Sequence, residues 1–237
     1  MRTAIALLVC TLATSSAAAQ AGGIAPVRAH YAAVAELPGG GRQDVGTRDI
    51  IVADSVAGGE HAWVVVNVLK VNGQAGADSV LMRAADLRPI SRRAALGDLS
   101  IRVDVRDSML TGTLKSPQGT VPVSLRVGER AFLNSSALRT ALRAWPLAAG
   151  WRGTASVLEL NGRSELTPLE LVVEGEEKVR VPAGEFECWR VHVTGSGGID
   201  ERWWVSKAGG HLVRTREPIG RQGAVMQLDL VWLMIAR

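Results

Sequence analysis

From Val27 onward the chain is a series of short apolar stretches rich in Val, Leu and Trp, broken at intervals of about ten residues by Gly, Asn, Asp and Pro. That rhythm belongs to a β meander, sandwich or barrel, because each stretch is as long as one strand and each break carries turn chemistry. Asn161-Gly162 lies between Val157–Leu160 and Ser164–Leu166 and supplies the positive φ angles of a two-residue hairpin turn. Asn72-Gly73 plays the same part after Trp63–Val71, and Gly197-Gly198 and Gly209-Gly210 punctuate later strands.

Local patterns sharpen this reading. Leu99, Ile101, Val103 and Val105 alternate with Ser100, Arg102, Asp104 and Arg106, which predicts a strand with one packed and one wet face. Val121, Val123, Leu125 and Val127 alternate in the same way. Pro122 among them predicts an edge strand or a strand that begins there, since proline cannot donate to a ladder. Val225–Ile235 is apolar on nearly both faces and predicts a central or covered strand. One segment departs from the β rhythm: Leu138, Leu142 and Trp145 follow Asn134-Ser135-Ser136 at helical spacing and precede Pro146, predicting a short helix over 136–145. Arg139 and Arg143 are placed on its flank, and its apolar stripe packs on the sheet as a plug or lid. The expected fold is mainly β: a single curved antiparallel sheet of meander topology, a half-barrel or β-roll, with the short helix on its concave side.

The N-terminus points to export. Arg2, the apolar run Ala4–Leu12 and the small residues up to Ala21 form a secretory signal peptide, and the run is far below the roughly 20 residues that cross a bilayer. Cys10 follows Val9 in mid-run, where a lipid-anchor signal wants a small residue. Removal of residues 1–21 leaves 22–237 as one mostly β domain with no transmembrane segment, exported to the periplasm or beyond. Cys188 is then the only cysteine, so no internal disulfide forms and the apolar core holds the fold. The net charge of +4, from 27 basic and 23 acidic residues, comes from scattered arginines interleaved with acids, which argues against nucleic acid as a partner.

Several blocks carry a resemblance. Asp86–Ile90, Gly112-Thr113, Leu138–Gly150, Val181-Pro182-Ala183-Gly184-Glu185-Phe186-Glu187-Cys188-Trp189-Arg190-Val191, Trp204-Val205 and Leu212–Arg214 together resemble the exported bacterial family known as domain of unknown function thirty-one-oh-eight. The resemblance implies a periplasmic or surface-associated β protein. It brings no activity, cofactor or catalytic residue. The Pro182 and Gly184 pair is also readable on its own as a tight turn between two strands.

No catalytic residues are nominated. Cys188 and His192 share a strand face but stand about 13 Å apart at roughly 3.3 Å per residue, too far for a dyad; Cys188, beside Phe186 and Trp189, reads as a small buried hydrophobe. No metal-ligand spacing, serine elbow or dinucleotide fingerprint is present, and no cofactor is expected. The acids Glu174, Glu176 and Glu177, and Asp200 and Glu201, read as solvated turn residues. Seven tryptophans stand against two phenylalanines and one tyrosine. Trp145, Trp151, Trp189, Trp203 and Trp204 are the candidate ligand-binding residues, because an indole suits a pocket for an amphipathic molecule. Trp203 and Trp204 are adjacent, so one of them points to solvent or to a second packed layer. Three readings follow: a carrier or binding protein for a lipid or other amphipathic molecule, an interaction module for an envelope protein, or an enzyme whose site is assembled from distant residues. A pocket of roughly 300 Å³ or more favours the first and a filled core the second.

Overall fold

The computed structural model describes residues 23–71, 73–160, 164–220 and 223–235. The signal-peptide reading of residues 1–21, Cys10, Asn72 and the Asn161-Gly162 turn lie outside them. The first half of the chain is β1 (Val27–Glu36), β2 (Arg42–Ala57), β3 (Glu60–Val71), β4 (Gln74–Arg83), β5 (Pro89–Leu96), β6 (Leu99–Arg106), β7 (Met109–Ser116) and β8 (Gly119–Arg126). A crossing segment follows, with the short β9 (Ala131–Phe132), helix α1 (Ser135–Ala141) and a 3-10 turn (Leu142–Ala144). The second half is β10 (Arg152–Leu160), β11 (Ser164–Val181), β12 (Gly184–Gly195), β13 (Ile199–Ser206), β14 (Leu212–Ile219) and β15 (Ala224–Ile235).

Among the described residues these fifteen strands form one sheet, ordered from β8 back to β1, then β15 back to β9. All neighbours are antiparallel except β9 on β10. The chain thus meanders to one edge, crosses to the other, and meanders back until β15 pairs with β1. The crossing dictates the curvature. Laid flat, fourteen spacings of about 4.8 Å would hold the two edges about 67 Å apart. Only four residues separate Arg126 at one edge from Ala131 at the other, and a chain that short reaches at most about 18 Å. The sheet is therefore rolled until its edges approach, although β8 and β9 do not pair and the roll stays open.

Several sequence expectations hold. β6 alternates as read, β8 with Pro122 is an edge strand, and β15 is central. The turn at Pro182-Ala183 joins β11 to β12, and Gly195–Gly198 ends one hairpin strand before the next. Gly112 sits in the interior of β7 at φ +154°, where an added Cβ would lie 2.0 Å from the Arg102 carbonyl oxygen of β6. Gly46 in β2 has the same constraint against the Lys70 carbonyl, so both glycines permit close strand approach rather than turns.

Two expectations are corrected. Glu174, Glu176 and Glu177 lie within β11, and Asp200 and Glu201 within β13, not in turns. Basic partners engage the β11 acids: Arg190 of β12 binds Glu174 at 3.0 Å and Glu177 at 3.2 Å, and Lys207, just past β13, binds Glu176 at 2.6 Å. Arg139 does not lie on a solvated flank. The helix is covered around its circumference, and Ser136–Ala141 are all buried. Leu138 and Leu142 enter the main core with Ala137 and Ala141, each leucine contributing roughly 1.5–3 kcal/mol by burial. Asn134 caps the helix, its side-chain oxygen accepting from the Ala137 N–H at 2.8 Å.

Candidate functional site

Helix α1 and the turn after it present Ser136, Arg139, Thr140 and Arg143 on one stripe, at the spacings that stack side chains on a helix face. Opposite them lies a floor built from alternate strand residues: Val27, Ala29 and Tyr31 of β1, Arg48 and Ile50 of β2, and Leu228 of β15. His211 and Leu212 close one side. The turn that carries His211 comes so close to α1 that a Cβ on Gly210 would stand 3.0 Å from the Arg143 Cα. The free space between helix and floor is about 40 Å³, room for some three waters at roughly 10–15 Å³ each.

The cleft is apolar along its floor and ionic along its helix side. Arg139 reaches Glu201 of β13 at 3.1 Å and Glu217 of β14 at 2.5 Å, and its guanidinium lies 4.7 Å from the ring centre of Trp203. The Trp203 Nε1–H donates to Glu201 at 2.7 Å, and the Thr215 hydroxyl to Glu217 at 3.0 Å. Burial opposes the Arg139 charge, but Glu217 and Glu201 outweigh it and raise its pKa. Burial raises the Glu201 pKa, whereas Arg139 and Arg48 hold Glu217 below the usual carboxylate range. Of two carboxylates sharing one guanidinium, Glu201 is the one that takes a proton first.

Beyond that triad lie Arg48 and Arg143, neither in a salt bridge among the described residues, although Glu217 is near enough to Arg48 for their charges to act on each other. Arg48 pairs in register with Tyr31 on the neighbouring strand, and burial, then Arg139, pushes its pKa down. Arg143 donates to the Ala25 carbonyl at 2.9 Å and is likewise lowered by burial. The Nε atoms of Arg48, Arg139 and Arg143 and the Nε2 of His211 are sealed from solvent and have no hydrogen-bond partner among the described residues. The Tyr31 hydroxyl donates to the Leu212 carbonyl at 3.0 Å, and burial raises its pKa.

The five nominated tryptophans do not converge. Trp145 and Trp151 meet in a tilted contact, ring centres 5.5 Å apart and planes at 36°, beyond the end of α1, and Phe132 makes a T-shaped contact with Trp145. Trp189 is half-buried under Lys207, 4.4 Å from its ring centre. Trp203 belongs to the main core beneath α1, whereas Trp204 belongs to a second cluster with Cys188, Val179 and Leu230. Both are buried, so Trp204 meets a second packed layer, and its Nε1–H donates to Glu177 at 3.0 Å. Only Trp203 borders the cleft, through Arg139. Reading the tryptophans by residue type missed Tyr31, Arg48, Arg139, Arg143, His211 and Glu217. One signal was available: Arg139 and Arg143 directly follow Leu138 and Leu142, so packing those leucines into the sheet carries both arginines close to it.

Two open grooves flank the connector after β8, one of about 600 Å³ bordered by Arg130, Ser156 and Thr194, the other of about 490 Å³ bordered by Arg88, Val105 and Arg126. Among the described residues no cluster of three or more His, Cys, Asp or Glu is placed to hold a metal ion, and no helix is long and apolar enough to cross a membrane.

No curated protein matches the chain. Solved structures similar to it include a Bacteroides fragilis protein described as exported and YmcC-like in fold, at 10% identity over 90% of this chain and 97% of that one, with a TM-score of 0.39. The hypothetical lipoprotein YmcC of Escherichia coli is 13% identical over 87% of each chain, with a TM-score of 0.34. A LolA superfamily protein of Nitrosomonas europaea is 10% identical over 90% of this chain and 87% of that one, with a TM-score of 0.23. At such identities and scores no residue role passes from these proteins to this chain. The sequence match is another matter: residues 27–229 fit the family described as Protein of unknown function (DUF3108), and the chain belongs to that family.

Proposed function

We propose that this chain is a non-enzymatic binding or carrier protein of the cell envelope, exported by residues 1–21, whose amphipathic ligand engages the cleft between α1 and the concave face of the sheet. The observation that carries this reading is the composition of the cleft, where an apolar floor of Val27, Ala29, Ile50 and Leu228 faces sealed arginine nitrogens without partners. A buried donor without an acceptor destabilises the fold by about 1–3 kcal/mol, and a bound polar group would remove that cost. Ligand pockets measure roughly 300–1,000 Å³, and the cleft holds about 40 Å³, so it admits a head group as it stands and a tail only when α1 lifts. The tail would then replace contacts that Leu138 and Leu142 make with the sheet.

A second reading, an interaction module for another envelope protein, draws on the nearly filled interior and on β8 as an open edge strand. Native mass spectrometry, with organic extraction, of the mature protein recovered from an envelope fraction separates the two. A reproducible bound mass that extracts as lipid is the expected result. A bare polypeptide mass, while a known lipid carrier handled alongside keeps its ligand, would overturn the carrier reading and leave the interaction module.

A further inference from the structure

We propose that Arg48 and Arg143 form an anion-binding site under α1, which takes the carboxylate or phosphate head group of an amphipathic ligand while its apolar part lies against Val27, Ala29, Ile50 and Leu228. The proposal rests on the binding reading above and adds the chemistry of the ligand. Three guanidiniums, those of Arg48, Arg139 and Arg143, line the cleft, and two carboxylates, Glu201 and Glu217, stand behind it on Arg139, which leaves an excess of one positive charge. The excess is localised. Arg139 is engaged by both glutamates, and each glutamate accepts a further bond from Trp203 or Thr215. Arg48 has no ion pair and no side-chain hydrogen bond among the described residues, and the one side-chain bond of Arg143 goes to the neutral Ala25 carbonyl.

Arg48 is opposed by Glu217 only from beyond salt-bridge distance, Arg143 has no carboxylate within that distance among the described residues, and charges partly removed from water are unfavourable unless paired. Water in the cleft could accept from these N–H groups but could not neutralise them. A carboxylate or phosphate does both, since its oxygens accept several N–H bonds at once. The space fits this assignment: about 40 Å³ accommodates the oxygens of one head group and not a chain. His211 faces the same space with a sealed, unpartnered Nε2; in its neutral Nε2–H tautomer it donates to the anion as well. Tyr31, in register with Arg48, is already committed to the Leu212 carbonyl and serves as wall.

The test uses the mature chain and four probes below their micelle concentrations: dodecanoate, dodecyl phosphate, dodecanol and inorganic phosphate, titrated by calorimetry. The expected result is that one or both anionic amphiphiles bind at least about tenfold tighter than dodecanol, and that Arg48→Met and Arg143→Met each erase that difference without weakening dodecanol, tenfold being the size of one charged contact. The better of the two anionic probes identifies the head group as carboxylate or phosphate. Arg48→Met should also leave the melting temperature of the ligand-free protein unchanged or higher, whereas a purely structural arginine would lower it. If Arg48→Met fails to fold, Arg143→Met carries the comparison. Equal binding of dodecanol and the anions, indifferent to both substitutions, overturns the anion site and leaves the carrier reading standing. Inorganic phosphate binding as tightly as dodecyl phosphate, and lost in the variants, supports the anion site and removes the amphiphile. No binding of any probe overturns the proposal.

Discussion

His211 stands just before β14, edge-on to Phe186 at 5.6 Å, and its neighbours rather than its own polarity decide its state. Burial, and then the charge of Arg143, push its pKa down to about 4. Between that value and the ordinary 6.5 the unfolded chain binds a proton that the folded chain refuses, so stability falls as pH drops through this window and levels off below about 4. The effect is on the order of 2–3 kcal/mol. Urea midpoints measured from pH 7 to pH 4.5 should decline in the native chain and decline less in His211→Phe. An equal decline would assign the acid sensitivity to other groups. Nothing within a few residues of His211 foretells that Arg143, far off in the chain, will lie against it. Glu201 is similar: period-two alternation sets it on the face of Trp203, but only the arrival of Arg139 from α1 makes that face a buried ion cluster.

Within single elements, the positions that shape the sheet are glycines in mid-strand. Gly112 at φ +154° occupies backbone space closed to other residues, and its missing Cβ lets β7 and β6 approach. Gly175 of β11, beside a register shift, has open space around its would-be Cβ and no positive φ. Gly112→Ala should therefore destabilise by at least about 1–3 kcal/mol from backbone strain alone. Gly175→Ala should be neutral or stabilise by about 0.4–1 kcal/mol, through the unfolded chain. Denaturant unfolding of both variants checks the contrast, and similar losses in the two would show that strand glycines matter here for some reason other than close approach. The alternation of β6, the proline on edge strand β8 and the cap-to-proline span of α1 were all readable, because each depends on residues a few positions apart. The register shifts of β11 and β14 were not. A bulge is set by how two strands meet, and the sequence of one strand does not contain its partner.

At the scale of the molecule, β1 and β15 meet at the centre of the sheet, so the two halves are joined by the ends of the chain. Removing residues 224–237 should leave β14 and β1 as unpaired edges and abolish a cooperative unfolding transition in the remaining chain, measured by near-ultraviolet circular dichroism during a urea titration. A retained transition would mean that one half folds alone. By itself the sequence determined the β class, the edge and central strands, the short capped helix and the presence of a single cysteine, Cys188, beyond the first 21 residues. Those follow from periodicity, turn chemistry and residue counts, which act over one element at a time. Only the tertiary structure decided that the curved sheet rolls until its edges approach and that α1, on its concave side, is buried around its whole circumference. It also brought Arg48, Arg139, Arg143 and His211, from segments up to 163 positions apart, into one cleft. Strand order and side-chain convergence depend on contacts between distant segments, and no local pattern encodes which of fifteen similar strands lies beside which.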